Sequence, residues 1–164
     1  MHSITALGVV INDKLTAADM HVSSLLVLAS CSRSLYDMLP VSSLQDVFRA
    51  TVIAKLTYCA PAWSGFCSAN DRARLDAFLR RCKRYGYCAD DVAGISDLFD
   101  AADQYLFQRV LSNELHVLQP LLPDKTNFSY NLRSRHHNRQ LIRKTTHVNN
   151  YSSFIIRMLY SNSY

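Results

Sequence analysis

Glycine and proline are scarce in this chain, with four of each in 164 residues. That scarcity excludes collagen-like, linker-like and low-complexity architectures, which need both in quantity. Charged residues are 19% against 49% hydrophobic, so a chain held open by its own charge is excluded as well. No run of 18 apolar residues occurs, and a membrane-spanning helix is not expected. Met1 to Gly8 shows no basic region leading into a long apolar run, so a secretory leader is not expected either. The five cysteines (Cys31, Cys59, Cys67, Cys82 and Cys88) are odd in number and never at C-x-x-C spacing. Disulfide frameworks need even counts, and zinc sites need close pairs. Reduced thiols in a cytoplasmic or nuclear protein are the reading that remains. A glycine-rich phosphate loop is missing too. What is present is enough apolar material, at this length, for one folded domain.

Acidic residues are also missing, but only locally. Residues 125–164 hold seven basic groups and no acid. Residues 71–88 carry six basic and two acidic groups, residues 89–124 one basic and seven acidic, and residues 1–70 four of each. A solvated surface normally mixes signs. The segregation points to an anionic partner, or to compensation of the basic blocks by the chain's own acidic segment.

The local patterns are mostly helical. Leu7 to Ile11 is a β-branched run ending at Asn12-Asp13, and it reads as a strand and turn. No second strand is evident nearby, so it is expected to be an orphan. Val22, Leu25, Leu26, Ala29 and Tyr36 recur at helical steps up to Pro40. Ser43 is the expected N-cap of a helix with the stripe Leu44, Val47, Phe48, Thr51, Val52 and Leu56, closed by Pro61. Asn70 or Asp71 is expected to cap a third helix, stopped by Gly86. Its inner face is Leu75, Phe78, Leu79 and Cys82. Its outer face is Arg74, Arg80, Arg81 and Arg84, with Arg72 and Lys83 on the flanks. From Ser96, a fourth helix places Phe99, Ala102, Leu106 and Val110 on one side, acids on the other, and ends near Pro120 and Pro123. Asn127 to Asn150 reads as extended or irregular, and Phe154 to Tyr160 as an apolar segment in need of a partner surface. The fold class is therefore mainly α: four to five helices in a small helical domain, one short N-terminal orphan strand, and an irregular basic tail.

Catalytic signals are weak. Asp90-Asp91 is the only adjacent acidic pair, whereas two-metal chemistry needs carboxylates converging from separate elements. His136-His137 is surrounded by cations that oppose a metal ion. Cys59 or Cys67 with a distant histidine is a nucleophile pair that no spacing fixes. The basic material has a better physical account, because arginine and lysine neutralise phosphates and release counterions. Tyr85, Tyr87, Phe128, Tyr130 and Tyr151 lie among the basic runs, and such rings stack on bases. An arginine-covered face is equally compatible with simple solvation.

Three segments together resemble the C-terminal part of the reverse transcriptase of non-LTR retrotransposons, of the jockey-like LINE type. Ala6-Leu7-Gly8-Val9 through Asp13, then Leu15 and His21-Val22, is similar to the family's Y-L-G-V-x-I-D-x-x-L-x-W-x-x-H-I stretch. Thr51 to Gly65 resembles its L-x-Y-G-x-x-x-W segment, continued by Arg74 to Arg81 as in L-x-x-x-Q-x-x-x-L-R. Tyr130 to His136, with Phe154 to Tyr160, resembles the closing Y-x-L-R-x-R and F-x-x-R-x-L patterns. Ala6 stands where the family has tyrosine, and the link around Leu35 to Pro40 is shorter than the family's.

The resemblance implies that residues 1–14 are the end of the palm and primer-grip strand. It makes 15–124 a helical thumb-like domain and 125–164 a basic C-terminal tail. It implies a fragment of an RNA-directed DNA polymerase that keeps template–primer binding but lacks the catalytic palm. The chain is then no enzyme by itself. No cofactor is expected, since magnesium would belong to the missing palm. The expected partners are RNA or DNA, bound non-specifically, and the remainder of the reverse transcriptase, with no membrane. The residues expected to contact nucleic acid are Arg74, Arg80, Arg81, Arg84, Arg133, Arg135, Arg139, Arg143 and Lys144. The competing readings are an α-helical interaction domain for an acidic protein and a retrotransposon relic with no selected function. The purified chain should show no primer extension with Mg²⁺, and extension in a radiolabelled-primer assay would overturn the fragment reading.

Overall fold

The structure is a computed structural model that describes residues 3–6, 9–12, 40–126, 137–143 and 153–161. It is mainly helical. The elements are strands β1 (Ser3–Ala6) and β2 (Val9–Asn12), then helices α1 (Val41–Phe48), α2 (Ala54–Thr57), α3 (Ala60–Trp63), α4 (Ala69–Arg84), α5 (Ile95–Ser112) and α6 (Phe154–Tyr160). The chain divides into two compact units, Met1–Asp100 and Ala101–Tyr164. The helix expected around Val22 to Tyr36 lies outside the described residues.

The expected strand is there, but it is not an orphan. β1 and β2 pair antiparallel, with Ser3 opposite Asn12 and Ala6 opposite Val9. Two residues separate the strands, the commonest spacing for a hairpin. The partner is easily missed in sequence because Ser3–Ala6 has only Ile4 and Thr5 as β-formers.

Residues 41–57 form one continuous rod in which α1 and α2 are joined by a π-helical turn, Arg49–Ile53. The Ala54 N–H reaches back to the Arg49 carbonyl, five residues earlier. The buried row is Leu44, Phe48, Val52, Leu56 and Ala60, at steps of four. A four-residue step on an α-helix overshoots a turn by about 40°. Three such steps would swing Leu56 well off the face that Leu44 occupies. The π turn winds less per residue and holds the row in line. The expected broader stripe is narrowed accordingly: Val47 is half-buried, and Thr51 is exposed with its hydroxyl donating to the Val47 carbonyl at 2.6 Å. Ser43 is not the N-cap. Pro40 occupies that position, where its fixed φ suits a helix entry and its carbonyl accepts from Leu44 N–H.

The rod ends at Tyr58. Cys59 then adopts φ 51°, the only non-glycine positive φ among the described residues. That left-handed residue stops α2 and starts α3, with Pro61 in its first turn. Trp63 is buried, donates from Nε1 to the Tyr58 carbonyl at 3.0 Å, and meets Phe99 edge-on at 5.0 Å.

α4 starts with a capping box. Ser68, not Asn70 or Asp71, is the N-cap. Its hydroxyl accepts from Asp71 N–H, and the Asp71 carboxylate accepts from Ser68 N–H. Its end is a Schellman motif around Gly86 at φ 74°, in which Gly86 N–H reaches Lys83 O and Tyr87 N–H reaches Cys82 O. Leu75, Phe78, Leu79 and Cys82 are buried, the inner face read from the sequence.

α5 starts at Ile95, whose N–H donates to the Asp76 carboxylate at 2.9 Å. It ends at Ser112, well before Pro120, because the Asn113 side chain accepts from Leu115 N–H and turns the chain. In the unit Ala101–Tyr164, the core is Phe107, Val110, Leu122, Met158 and Leu159. α6 therefore finds its partner surface on α5 and the turn that follows it. The division between the two compact units falls after Asp100, within α5. Asp103 is buried on the inner side of α5 and pairs with Arg157 at 2.8 Å, an exception to the expected segregation of acids outward.

A residue forced into the left-handed region costs about 1–2 kcal/mol unless it is glycine. Cys59→Gly should raise the unfolding midpoint by a few degrees, about 0.5–1 kcal/mol after the greater freedom of unfolded glycine is subtracted. Cys59→Val should lower it. Thermal melts followed by circular dichroism read both, and a Gly variant less stable than the parent would refute the strain.

Candidate nucleic-acid interface

The candidate interface is the solvent side of α4. Arg74, Arg80, Arg81 and Arg84 are all exposed, opposite the buried row of the same helix. At 3.6 residues per turn they occupy an arc of about 120°. Arg74 approaches Asp71 at 3.9 Å. No carboxylate among the described residues lies in ion-pair range of Arg80, Arg81 or Arg84.

The flanking charges do different work. Arg72 donates to the Ser64 carbonyl at 2.9 Å and lies over the Phe99 ring at 5.5 Å. Lys83 donates to the carbonyls of Asp90 and Val92 at 2.8 and 2.6 Å. Asp76 caps α5 through Ile95 N–H. These three groups tie α4 to the chain that follows and precedes it. The flanking charges, set apart from the outer arginines in the sequence, are therefore structural ties.

The tail residues divide. Arg139 is bonded internally. Its guanidinium donates to the Pro123 carbonyl at 3.1 Å and to Gln119 at 3.3 Å. Its backbone sits in an antiparallel bridge with Lys125. Thr126 N–H to Asn138 O and Gln140 N–H to Asp124 O, at 2.7 and 2.9 Å, pin the same stretch. Residues 137–143 are thus held against 124–126, in a stretch whose sequence reads as extended or irregular. Arg143 is exposed. Arg133, Arg135 and Lys144 lie outside the described residues. Arg157, which the sequence reading did not assign, is internal and half-buried against Asp103.

The weaker chemical candidates are also placed. Asp91 is an exposed turn residue 3.9 Å from exposed Arg49. His137 accepts Arg139 N–H at Nδ1, so Nε2 carries the proton and donates to the Leu159 carbonyl at 3.1 Å. His136 lies outside the described residues. No group of three or more metal-ligating side chains gathers among the described residues. A groove of about 350 Å³ beside Tyr105 and Met158 is lined by glutamine, serine and apolar groups, without an acid, histidine or cysteine. Among the described residues, no helix is long and apolar enough to cross a membrane. Burial pushes the Cys67 thiol up to about 11 and the Cys82 thiol up to about 12, and raises that of Cys88. Such thiols stay protonated at neutral pH and are poor nucleophiles.

No family model, no curated protein and no solved structure matches this chain.

The buried thiols carry a pH consequence. Their folded pKa values lie above the unfolded value near 9, so the folded state holds its protons longer. The thiols' contribution to stability is constant below pH 9 and falls as pH rises from about 9 toward 12. Urea unfolding at stepped alkaline pH should show this decline, and Cys82→Ala should flatten it. A decline of equal slope in Cys82→Ala would assign it to other groups.

Proposed function

We propose that this chain is a nucleic-acid-binding piece of a non-LTR retrotransposon reverse transcriptase, its thumb and C-terminal region, acting on the sugar–phosphate backbone without sequence selection. The observation that carries the binding is the arginine arc on α4, where the three exposed guanidinium groups of Arg80, Arg81 and Arg84 have no carboxylate in ion-pair range among the described residues. Uncompensated cations on one helix face attract phosphate and gain from counterion release. Among the described residues, the buried ion pair of the acidic block is Asp103 with Arg157, within the C-terminal unit.

Backbone conformation supports the family reading. In the pattern L-x-Y-G-x-x-x-W the glycine falls at Cys59, after Leu56 and Tyr58 and before Trp63. Cys59 is the residue at φ 51°, a conformation natural to glycine. The pattern's tryptophan falls at Trp63, whose indole closes the same turn. The left-handed turn thus falls where the family pattern has glycine. In this reading the α4 arc carries the affinity, with Arg143 and the remaining tail cations as an extension.

Replacing Arg74, Arg80, Arg81 and Arg84 by serine should leave the helical circular dichroism nearly intact while weakening duplex binding. Each lost phosphate contact flattens the log–log salt dependence by about 0.9. Fluorescence anisotropy titrations between low and physiological salt measure the slope. An unchanged slope means that the face is merely solvated.

A further inference from the structure

We propose that Tyr85 is a base-stacking platform at the end of the arginine arc, which makes the preferred ligand a single strand, of DNA or RNA, rather than a duplex. The inference rests on the nucleic-acid reading of that arc and adds to it the state of the strand.

Tyr85 is the C-cap of α4, four residues after Arg81 and one after Arg84. The Schellman motif fixes it there: the chain reverses at Gly86, sends Tyr87 inward and leaves Tyr85 outside. Tyr87 is 8% exposed and Tyr85 59%. The two rings lie 5.9 Å apart, tilted by 45°, so buried Tyr87 braces the exposed ring. An aromatic side chain held in water, backed on one side and open on the other, is the geometry that takes up a flat partner.

The other exposed tyrosines lack this combination. Tyr105, at 68% exposed, already has the guanidinium of Arg109 at 5.8 Å from its ring. Tyr58, at 49% exposed, precedes the turn at Cys59 and lies off α4. Among the described residues, Tyr85 is the exposed tyrosine that sits at the end of α4 beside several arginines together, Arg80, Arg81 and Arg84.

Spacing selects the ligand. Helix neighbours four apart have Cβ atoms about 5–6 Å apart. Arg81 and Arg84 can therefore hold a phosphate while Tyr85 meets the base attached to it. In a duplex the faces of the bases are stacked on one another and out of reach. In a single strand they are open, and stacking tolerates any base.

The test is anisotropy of labelled single-stranded DNA, single-stranded RNA and blunt duplex DNA, with parent, Tyr85→Ala, Tyr85→Phe and the triple variant Arg80→Ser, Arg81→Ser, Arg84→Ser. Circular dichroism confirms folding of each. Tyr85→Ala should weaken both single strands about 5- to 150-fold, leave the duplex within about twofold, and keep the salt slope. Tyr85→Phe should bind as the parent does. A 2-aminopurine base in the strand should be quenched by the parent and not by Tyr85→Ala. Equal loss on duplex and single strand, or no loss at all, overturns the proposal. So does a loss confined to RNA that phenylalanine fails to rescue, which would mean a hydroxyl contact in place of stacking. If the arginine variant flattens the salt slope while Tyr85→Ala changes nothing, the stacking proposal falls and the nucleic-acid reading stands. If polyglutamate at matched salt binds the parent as tightly as either strand does, both fall.

Discussion

The first unit depends on keeping a row of apolar residues at four-residue intervals on one side of a helix. Leu44, Phe48, Val52 and Leu56 on the rod are fully buried, as is Ala60 beyond the turn at Cys59. An unbroken α-helix cannot present such a row to a single surface, because the row spirals away from it. The underwound turn at Arg49–Ile53 resolves the conflict inside the helix. The left-handed residue Cys59 resolves the next one by ending the rod and redirecting the chain so that Trp63 closes on Phe99. Two local departures from α geometry thus serve one packing requirement.

Charge is arranged by a similar economy. Groups on the edges of α4 are taken up by backbone: Arg72 by Ser64, Lys83 by Asp90 and Val92, Asp76 by Ile95. In the second unit Arg139 and Arg157 bond internally. A buried ion pair such as Arg157 with Asp103 adds little net stability against an apolar pair of the same shape, but losing one partner is costly, about 3–5 kcal/mol. On the solvent arc of α4, Arg80, Arg81 and Arg84 stay outward with no ion pair among the described residues.

The helical class, the inner face of α4, its arginine face and its glycine stop were legible in the sequence, because each follows from a short-range rule: period, capping or the freedom of glycine. The narrow row on the first rod was not. Val47 and Thr51 fit an α stripe by position, and only the π turn, which no residue pattern announces, moves them aside. The hairpin partner was hidden by the weak β character of Ser3–Ala6. The capture of Arg139 was invisible for another reason. Its partners, Pro123 and Gln119, are 16 and 20 residues away, and arginine in a basic run gives no sign of which members turn inward. Tyr85 was legible only as one aromatic among several, and its distinction from Tyr87 rests on the reversal at Gly86.

The ties that flank α4 have a consequence for how its cations behave in salt. From Arg74 to Arg84 the helix rises about 15 Å. The Debye length at physiological ionic strength is about 8 Å. Two ends of the row are therefore screened from each other, and a passing polyanion meets two independent charge centres, one around Arg74 and one around Arg80 to Arg84, on a rod that cannot bend to merge them. Dilution of the buffer to about 0.01 M stretches the screening length to about 30 Å and fuses these centres into one field. The same face changes from two short-range contacts into a single long-range attractor without any movement of the protein.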